Sequence, residues 1–476
     1  MQPKTLVLSI PYLDPHRPPI TGAILCQIAK KCGHLVTAVD INISLFRYDP
    51  DTWWLNKKKT YSFNYLDPDI VPVETYETLL HDKLDVDWIL LTQLTNFEFP
   101  SLYHICKWLR SRTRAKIVIG GPGIESLIDE QCTQGKFLYD NQLVDYFVYG
   151  EGDNALKELF SGNTNYPGIN GSAPKQIENL EDLPLPNYDF YNLELYQYPA
   201  GEKDFYIYGS RGCVKKCTFC DIRHYWPKYR YRSGKSIALE MIDYYEKYGT
   251  KNFYFADSLL NGSLKEFRVF CETLSTYTPA KNFKWSGFFL IRPKQSHSLE
   301  LFDMIKSSGG YFLNCGLETG VDRIRLEMQK GFTNDDVDWH LENCSKYELT
   351  NQFQLISTWP TETIEEHYEY LKIFERWQPY VADGTISSAS INGHPAWLSG
   401  ANLDPYDDFY TDTRISNTSA NKILFYLNKK NPTFTVAERY QRTINVIKQA
   451  RKYRWPLDRI ETKIIEWTEQ LKLYKL

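Results

Sequence analysis

Two successive series of alternating strand and helix patterns constrain the fold of this chain more than any other feature. The chain has 476 residues, which exceeds one ordinary domain, so we expect two or three domains. In the first series, helical patterns separate short apolar runs, which predicts a doubly wound, Rossmann-like parallel sheet. The strand candidates are residues 5–10, 35–41, 88–94, 116–119 and 144–149, and the helix candidates are residues 22–31, 100–112 and 154–160.

A stretch rich in tryptophan, tyrosine and lysine interrupts this first series at about residues 45–85. We interpret it as an insertion, and we therefore expect a first domain over residues 1–165. Residues 166–200 follow, with many Pro, Asn and Gly and little periodicity. That composition predicts a coil linker between two domains.

The second series predicts a partial TIM-like (β/α)6 barrel over residues 201–395. Its strand candidates are residues 205–208, 252–255, 284–290, 311–315, 352–357 and 385–390, and helices are expected at residues 236–248, 264–277 and 298–307. Residues 396–476 depart from this pattern. They are rich in loop-forming residues as far as 434, and then helical, basic and amphipathic with a break at Pro456. We expect a mainly helical C-terminal extension there.

Glycine-rich turns follow two strand candidates of the first series. Ligands of open parallel sheets bind at the carboxyl ends of strands, where such turns lie, and glycine lets a backbone approach a ligand closely. Ordinary turn formation is the alternative explanation. The candidate ligand-binding residues at this edge are Thr92, Gly120, Gly121, Gly123, Gly150 and Gly152.

Three cysteines with the spacing C-x-x-x-C-x-x-C directly follow the first strand candidate of the second series. They are Cys213, Cys217 and Cys220. Three thiolates can hold three irons of a 4Fe–4S cluster and leave the fourth iron open, and an open metal position is typical of a catalytic site. The alternatives are a zinc site with His224 as a fourth ligand, a disulfide, and chance clustering.

Composition excludes several other function classes. The formal charge is -4, from 55 basic and 59 acidic residues, which predicts neither a nucleic-acid nor a membrane surface. No apolar run is long enough to span a bilayer, so we expect a cytoplasmic protein. The remaining cysteines are scattered and are expected to be buried free thiols. They are Cys26, Cys32, Cys106, Cys132, Cys271, Cys315 and Cys344.

The cysteine motif, with Phe219 before its last cysteine, resembles the signature of the radical SAM enzymes. Residues 253–263 resemble that family's second strand, and residues 315–333 resemble its G-[IL]-E-[ST]…M-x-K-G segment. Residues 355–366 resemble the fifth-strand segment G-x-P-x-E-T, although Ser357 and Thr358 stand near the usual glycine.

The N-terminal half resembles a subgroup of that family whose barrel follows a cobalamin-binding domain. The similar segments are residues 120–123, 144–152 and 180–191. Asp14 and His16 begin like a D-x-H-x-x-G cobalt-binding loop, but Pro19 stands where glycine is needed. We interpret residues 17–22 as the P-P-x-G turn of the subgroup instead. Cobalamin is then expected on the glycine turns, and an empty domain is the alternative.

The resemblance implies a 4Fe–4S cluster on the three cysteines, with S-adenosylmethionine bound at its open iron. Reductive cleavage would give a 5′-deoxyadenosyl radical. Phe219 would lie beside the adenine, while Asp257 and Glu318 would bind the amino group and ribose of the cofactor. Without the resemblance, Asp257 would be read as a helix N-cap and Glu318 as an exposed salt bridge. The catalytic residue toward substrate is not identified.

The leading hypothesis is cobalamin-dependent methyl transfer to an unactivated centre of a small molecule, with a reductant such as flavodoxin or ferredoxin and no nucleic-acid partner. A radical cyclase, oxidoreductase or rearrangement enzyme with an empty first domain is the second. A non-catalytic iron–sulfur or zinc protein is the third.

The basic run at residues 228–235 predicts either a solvated face or an anion site, and residues 233–236 lack the features of a phosphate loop.

Overall fold

The computed structural model describes residues 2–59, 71–128, 132–196, 201–296, 299–391, 409–411, 426–428 and 434–457. The chain forms two compact units. One comprises Met1–Ile207 with Tyr244–Thr250, and the other comprises Tyr208–Asp243 with Lys251–Leu476. Among the described residues, no helix has the length and apolar character needed to cross a membrane.

The first sheet has five parallel strands in the order β2-β1-β3-β4-β5. The strands are β1 (Lys4–Ser9), β2 (Leu35–Asp40), β3 (Trp88–Thr92), β4 (Lys116–Gly120) and β5 (Tyr146–Val148). Their ends are aligned, because Ser9 pairs with Thr92, Thr92 with Gly120, and Gly120 with Val148. The strand order reverses between β1 and β3, which is the topological switch point of a doubly wound sheet. The predicted fold of this half is confirmed.

Seven helices accompany the first sheet in the described residues. They are α1 (Ile20–Lys31), α2 (Ile41–Tyr48), α3 (Pro50–Lys59), α4 (Val73–Leu80), α5 (Phe99–Arg112), α6 (Gln134–Asp140) and α7 (Gly152–Phe160). The described part of the predicted insertion is mainly helical, in α2, α3 and α4, with turn or coil at residues 71–72 and 81–85. The Asp40 side chain caps α2 by accepting the Ile43 N–H, and Trp53 of α3 packs edge-on against Tyr12 and Phe46.

The described part of residues 166–196 is coil with three short 3-10 turns. Each turn follows an asparagine whose side chain accepts a backbone N–H of the turn, which is the usual capping role of this residue. The caps are Asn179, Asn187 and Asn192, before Leu180–Asp182, Tyr188–Phe190 and Leu193–Leu195 respectively.

The second sheet has six strands in the order β13-β12-β11-β10-β9-β6, as predicted for a partial (β/α)6 barrel. Strands β9 to β13 pair with their neighbours in parallel. The strands are β6 (Asp204–Ile207), β9 (Asn252–Phe255), β10 (Lys284–Phe289), β11 (Gly310–Glu318), β12 (Thr350–Leu355) and β13 (Ile386–Ile391), and β7 (Ser210–Arg211) and β8 (Arg230–Tyr231) form a separate antiparallel pair.

The helices that follow these strands include the predicted ones. They are α8 (Ile222–Tyr225), α9 (Gly234–Tyr248), α10 (Leu264–Thr276), α11 (Glu300–Ser307), α12 (Asp322–Glu327), α13 (Asn334–Lys346), α14 (Ile364–Arg376) and α15 (Gln378–Ala382). One face of the sheet packs on them. Cys315 and Asn351 of adjacent strands both contact the buried ring of His340 in α13. This histidine therefore belongs to the core.

The described residues of the C-terminal extension are 409–411, 426–428 and 434–457. They form the two short strands β14 (Phe409–Thr411) and β15 (Tyr426–Asn428) and then the helix α16 (Val436–Lys452). After the helix the chain runs beside β13, where the Ala389 N–H donates to the Pro456 carbonyl and Ala389 bridges in parallel to Leu457. The helix predicted beyond Pro456 lies outside the described residues.

Candidate functional site

The cysteine loop connects β7 to α8 and is tied to a distant part of the chain. Cys217 is buried, and Cys213 and Cys220 are half-buried. The Thr218 N–H donates to the Met328 carbonyl at 3.3 Å. Gly212 precedes the first cysteine with a φ of 89°, and a Cβ there would lie 2.8 Å from the Lys228 carbonyl oxygen. Only glycine fits this turn without strain.

A buried polar network holds the base of the cysteine loop. Asp257, two residues beyond β9, accepts the Gly209 N–H at 2.9 Å and the Ser210 hydroxyl. Burial raises the pKa of Asp257 to about 6. The expected alternative, a helix N-cap, is wrong, because Ser263 caps the next helix. In this structure Asp257 positions the loop, and cofactor binding by Asp257 stays a prediction.

The basic run at residues 228–235 is only partly a solvated face, because Lys228 and Lys235 are exposed. Arg230 and Arg232 are both buried. Arg232 forms a buried ion pair with Glu240 and donates from Nη1 to the Tyr208 carbonyl at 2.9 Å, and its own N–H donates to the Gly209 carbonyl. Its charge therefore supports the loop from within the fold, where a buried guanidinium needs a paired carboxylate.

The thiols of the loop lie in a partly desolvated setting. Burial raises the pKa of Cys217 to about 11, while the nearby Lys330 ammonium acts in the opposite direction. Burial also raises the pKa of Cys220. A metal that binds Cys217 and Cys220 must therefore displace their protons.

Glu318 and Lys330 form a buried ion pair at the end of β11. Glu318 Oε1 and Lys330 Nζ are 2.8 Å apart, and the two side chains are 8% and 9% exposed. The expected salt bridge of Glu318 is therefore present, but it is buried and not exposed. Burial acts to lower the pKa of Lys330, but Glu318 and Cys217 raise it overall. A Cβ on Gly316 would lie 2.3 Å from Glu318 Oε1, so this glycine makes room for the pair.

Lys330 was not among the predicted site residues. It lies two residues after Met328, whose carbonyl accepts from the cysteine loop, and its charge reaches Cys217. The sequence signal was present, since Lys330 is the lysine of the M-x-K-G segment. Twelve residues separate it from Glu318, so only the fold shows that the two are partners.

The segment after β12 lies beside both features. Trp359 packs edge-on against Phe219 of the cysteine loop, with ring centroids 6.1 Å apart. The Ile356 N–H donates to the Glu318 carbonyl at 2.6 Å. Thr358, between Ile356 and Trp359, is 1% exposed with a φ of 60°. Three segments distant in sequence thus meet at one edge of the second sheet.

The predicted glycine turns of the first sheet have a different explanation. A Cβ on Gly121 would lie 2.4 Å from the Gln93 carbonyl oxygen, and one on Gly123 would lie 2.7 Å from the Thr95 carbonyl oxygen. A Cβ on Gly150 would lie 2.6 Å from Pro174. These three glycines are required by the packing of the chain against itself.

Two other glycines and Thr92 leave more room at this edge. A Cβ on Gly120 or Gly152 would meet nothing closer than 3.7 Å, and Thr92 is half-exposed at the end of β3. Thr92 and Gly120 are register partners on adjacent strands. They are the predicted cobalamin-site residues that the fold brings together.

Residues 20–22 of the expected P-P-x-G turn are the first residues of α1, and the likeness of this loop to that turn stays a prediction. The His16 ring packs edge-on against Phe46, and Arg17 pairs with Asp14 and Asp204. Helix α1 begins directly after Pro19. A Cβ on Gly22 would lie 2.1 Å from the Tyr191 hydroxyl, so packing within this unit requires that glycine.

The prediction for the scattered cysteines is confirmed at five positions and wrong at two. Cys32 is exposed and Cys132 is half-buried, while the other five are buried. Within the described part of the chain, no three His, Cys, Asp or Glu side chains are grouped to hold one metal ion. That finding covers the three thiols of the cysteine loop as well. The side chain of His224, the suggested zinc ligand, lies outside the described residues. The support for cluster binding is therefore the motif itself and its position after a strand.

Residues 207–373 match the family model of the radical SAM superfamily. This range contains the cysteine loop, Asp257, the Glu318–Lys330 pair and Thr358. The chain therefore contains a radical SAM domain, and the resemblance seen in its motifs is confirmed.

Curated proteins of similar sequence match this chain over a segment. A cytidylyl-2-hydroxyethylphosphonate methyltransferase from Streptomyces wedmorensis is 31% identical over 34% of this chain and 31% of its own length. This chain spans less than a third of the length of that methyltransferase, and less than a third of the length of a second curated relative. The likeness to that methyltransferase thus concerns a segment of each protein.

Solved structures share the fold at low identity. The methyltransferase TsrM from Kitasatospora setae, solved with tryptophan and a SAM analogue, aligns over 94% of this chain and 89% of its own, with 13% identity and a TM-score of 0.64. The cobalamin-dependent radical enzyme OxsB, solved with aqua-cobalamin, aligns over 99% of this chain and 72% of its own, with 14% identity and a TM-score of 0.67. Both halves of this chain thus have the fold of those enzymes.

Proposed function

We propose that this protein is a radical SAM enzyme that transfers a methyl group to an unactivated centre of a small molecule, with cobalamin as a second cofactor. The observation that carries the proposal is the meeting of three segments at one edge of the second sheet. The cysteine loop, the Glu318–Lys330 pair and the Thr358–Trp359 segment lie together there. Barrel enzymes place their chemistry at this edge.

The residues at this edge fit a 4Fe–4S cluster and S-adenosylmethionine. Three thiols on one loop are the ligand type that holds such clusters, and Cys213, Cys217 and Cys220 would be those ligands. Glu318 would accept hydrogen bonds from the amino group or ribose of the cofactor, and Phe219 would line the adenine. When bound, these groups supply an electron and an adenosyl radical able to abstract a hydrogen atom.

The protein itself positions and shields the reacting groups. Asp257 and Arg232 fix the start of the loop through the Gly209 backbone. Lys330 places a positive charge beside Cys217 and holds Glu318 in a buried position. Trp359 and Phe219 pack together beside the loop, and such packing excludes water from reactive intermediates.

The proposal places cobalamin at the carboxyl edge of the first sheet. The switch point between β1 and β3 is the usual ligand crevice of such sheets. Thr92 ends β3 at that point, Gly120 ends the neighbouring strand β4, and Gly152 begins α7 after the edge strand β5. OxsB, which shares this fold, was solved with cobalamin bound. We assign the first domain to residues 1–165, the linker to 166–200, the barrel to 201–395 and the extension to 396–476.

A second candidate function is a radical reaction without cobalamin, such as cyclisation or oxidation. The observation that favours it is the packing of Gly121, Gly123 and Gly150 against the chain itself. Those glycines then provide no evidence for a ligand. Either function calls for a reductant such as flavodoxin or ferredoxin, and for a reducing compartment such as the cytoplasm.

Anaerobic purification with cobalamin supplied tests the proposal. Iron, sulfide, cobalt and zinc are measured together, and products are measured after reduction with S-adenosylmethionine. We expect four irons, four sulfides and one cobalt per chain, with S-adenosylhomocysteine formed beside 5′-deoxyadenosine. Four irons without cobalt would favour the second candidate. Zinc without sulfide would contradict both and indicate a non-catalytic zinc protein.

A further inference from the structure

Thr358 has a backbone conformation that its side chain opposes. Its φ is 60°, in the left-handed region where a Cβ crowds the following carbonyl oxygen. Glycine adopts this conformation without penalty, and a β-branched residue there is an outlier. The end of β12 would therefore be less strained with glycine at this position.

The hydroxyl that distinguishes Thr358 from glycine is buried without a partner. The side chain is 1% exposed, and Oγ1 has no hydrogen-bond partner among the described residues. The preceding hydroxyl, on Ser357, differs in this respect, because it bonds the Thr443 hydroxyl at 2.8 Å. A buried unpaired hydroxyl lowers stability unless a ligand completes it.

The surroundings of Thr358 indicate which ligand that is. Its neighbour Trp359 contacts Phe219 of the cysteine loop. Ile356, two residues earlier, donates to the carbonyl of Glu318, which also has a left-handed backbone with a φ of 66°. Two strained, buried residues thus lie near the cysteine loop, Glu318 as the last residue of β11 and Thr358 three residues beyond the end of the adjacent parallel strand β12. Strain of this kind persists where the surrounding structure enforces it, often at ligand sites.

We propose that the Thr358 hydroxyl hydrogen-bonds bound S-adenosylmethionine and that the strained backbone holds the hydroxyl in place for this contact. This inference rests on the proposed function. It adds a specific cofactor-binding residue at a position where the chain departs from the G-x-P-x-E-T pattern. Strain and an unpaired hydroxyl lower the stability of the free protein, and the bound cofactor satisfies the hydroxyl.

Four variants separate the hydroxyl from the backbone strain. They are Thr358→Ser, Thr358→Ala, Thr358→Gly and, as a control, Gln142→Gly, which relieves a φ of 59° at an exposed turn of the first unit. The binding probe is S-adenosylhomocysteine, titrated calorimetrically into anaerobically reconstituted protein. The thermal midpoint of each variant is measured without ligand.

We expect Thr358→Ser to bind the probe within about twofold of the wild type, whereas Thr358→Ala and Thr358→Gly bind about five- to tenfold more weakly, as for the loss of one hydrogen bond. Thr358→Gly should also raise the thermal midpoint. Gln142→Gly should leave affinity unchanged.

Unchanged affinity in Thr358→Ala would overturn the inference, and so would a lower thermal midpoint in Thr358→Gly. A wild-type protein that binds iron and sulfide but no probe would instead refute the proposed function. The two failures are therefore distinguishable.

Discussion

The carboxyl edges of the two parallel sheets look alike in sequence and differ in structure. Both carry turns where a strand ends, and both were predicted to bind a cofactor. At the first edge, Gly121, Gly123 and Gly150 accommodate close packing of the chain against itself. At the second, Glu318 and Thr358 keep left-handed backbones and polar side chains in buried positions. Glycine at a strand end thus indicates less about ligands than a strained, buried polar residue does.

The largest expected effect comes from removing a cluster ligand at the second edge. Cys217→Ala should abolish formation of 5′-deoxyadenosine and lower bound iron, because three thiolates are needed to hold the cluster. Iron and sulfide content and product release measure this. Cys271→Ala, at a buried thiol of α10, is the matched control and should keep its cluster. Full iron content in Cys217→Ala would show that the loop does not bind a cluster as proposed.

Neutralising Glu318 should weaken cofactor binding without loss of the cluster. For Glu318→Gln we expect affinity for S-adenosylhomocysteine to fall about 10- to 100-fold, as for a lost charge-assisted hydrogen bond. Calorimetric titration measures this. Glu348→Gln, at an exposed glutamate paired with Lys306, should change affinity less than about twofold. An equal effect of the two variants would contradict a binding role for Glu318.

At the first edge, a glycine substitution should affect stability and leave the cluster unchanged. Gly121→Ala should lower the free energy of unfolding by more than about 3 kcal/mol, because the new Cβ meets the Gln93 backbone in a left-handed conformation. Gly33→Ala is the control. Gly33 has a φ of 87° but nothing within 4 Å of its added Cβ, so it should lose only about 1 kcal/mol. Urea unfolding compares them, and equal losses would contradict the packing explanation.

The smallest expected effect is a matched pH dependence. Asp40 at the first edge and Asp257 at the second each have a pKa raised by burial to about 6. A raised folded pKa contributes stability below the unfolded value near 3.8 and loses it as pH rises through about 6. The free energy of unfolding should therefore fall as the pH rises, and Asp40→Asn and Asp257→Asn should each reduce this fall by up to about 3 kcal/mol.

Only Asp257→Asn should also change the EPR spectrum of the reduced cluster, because Asp257 positions the cysteine loop. Unfolding between pH 4 and 7 and EPR spectroscopy check both expectations. The comparison fails if Asp40→Asn alters the spectrum as strongly as Asp257→Asn.

Local sequence patterns predicted the strands of the two parallel sheets and the helices α1, α5, α7, α9, α10, α11 and α16, because apolar runs in parallel sheets are continuous and the intervening helices are amphipathic. They missed the helical character of residues 41–59 and 73–80, where aromatic and lysine content hides the helical period. They also ended β11 early, since its extension to Glu318 passes through a register shift between Gly316 and Glu318.

The site was less predictable, because its key properties depend on contacts between distant residues. The cysteine motif is local and was found. The burial of Glu318 depends on Lys330, and the role of Asp257 in holding the loop depends on Gly209 and Ser210. The strain at Thr358 was foreshadowed only by the glycine usual at this position of the G-x-P-x-E-T pattern, and its φ of 60° is known only from the fold.

The central claim is that the second edge, and not the first, carries the radical chemistry. The most direct measurement is 5′-deoxyadenosine release by anaerobically reconstituted wild-type protein given dithionite and S-adenosylmethionine, with Cys217→Ala and Gly121→Ala measured beside it at a temperature where both are folded. We predict release by the wild type and by Gly121→Ala, and none by Cys217→Ala. Equal release by all three proteins, or none by a wild type with four irons, would contradict this account.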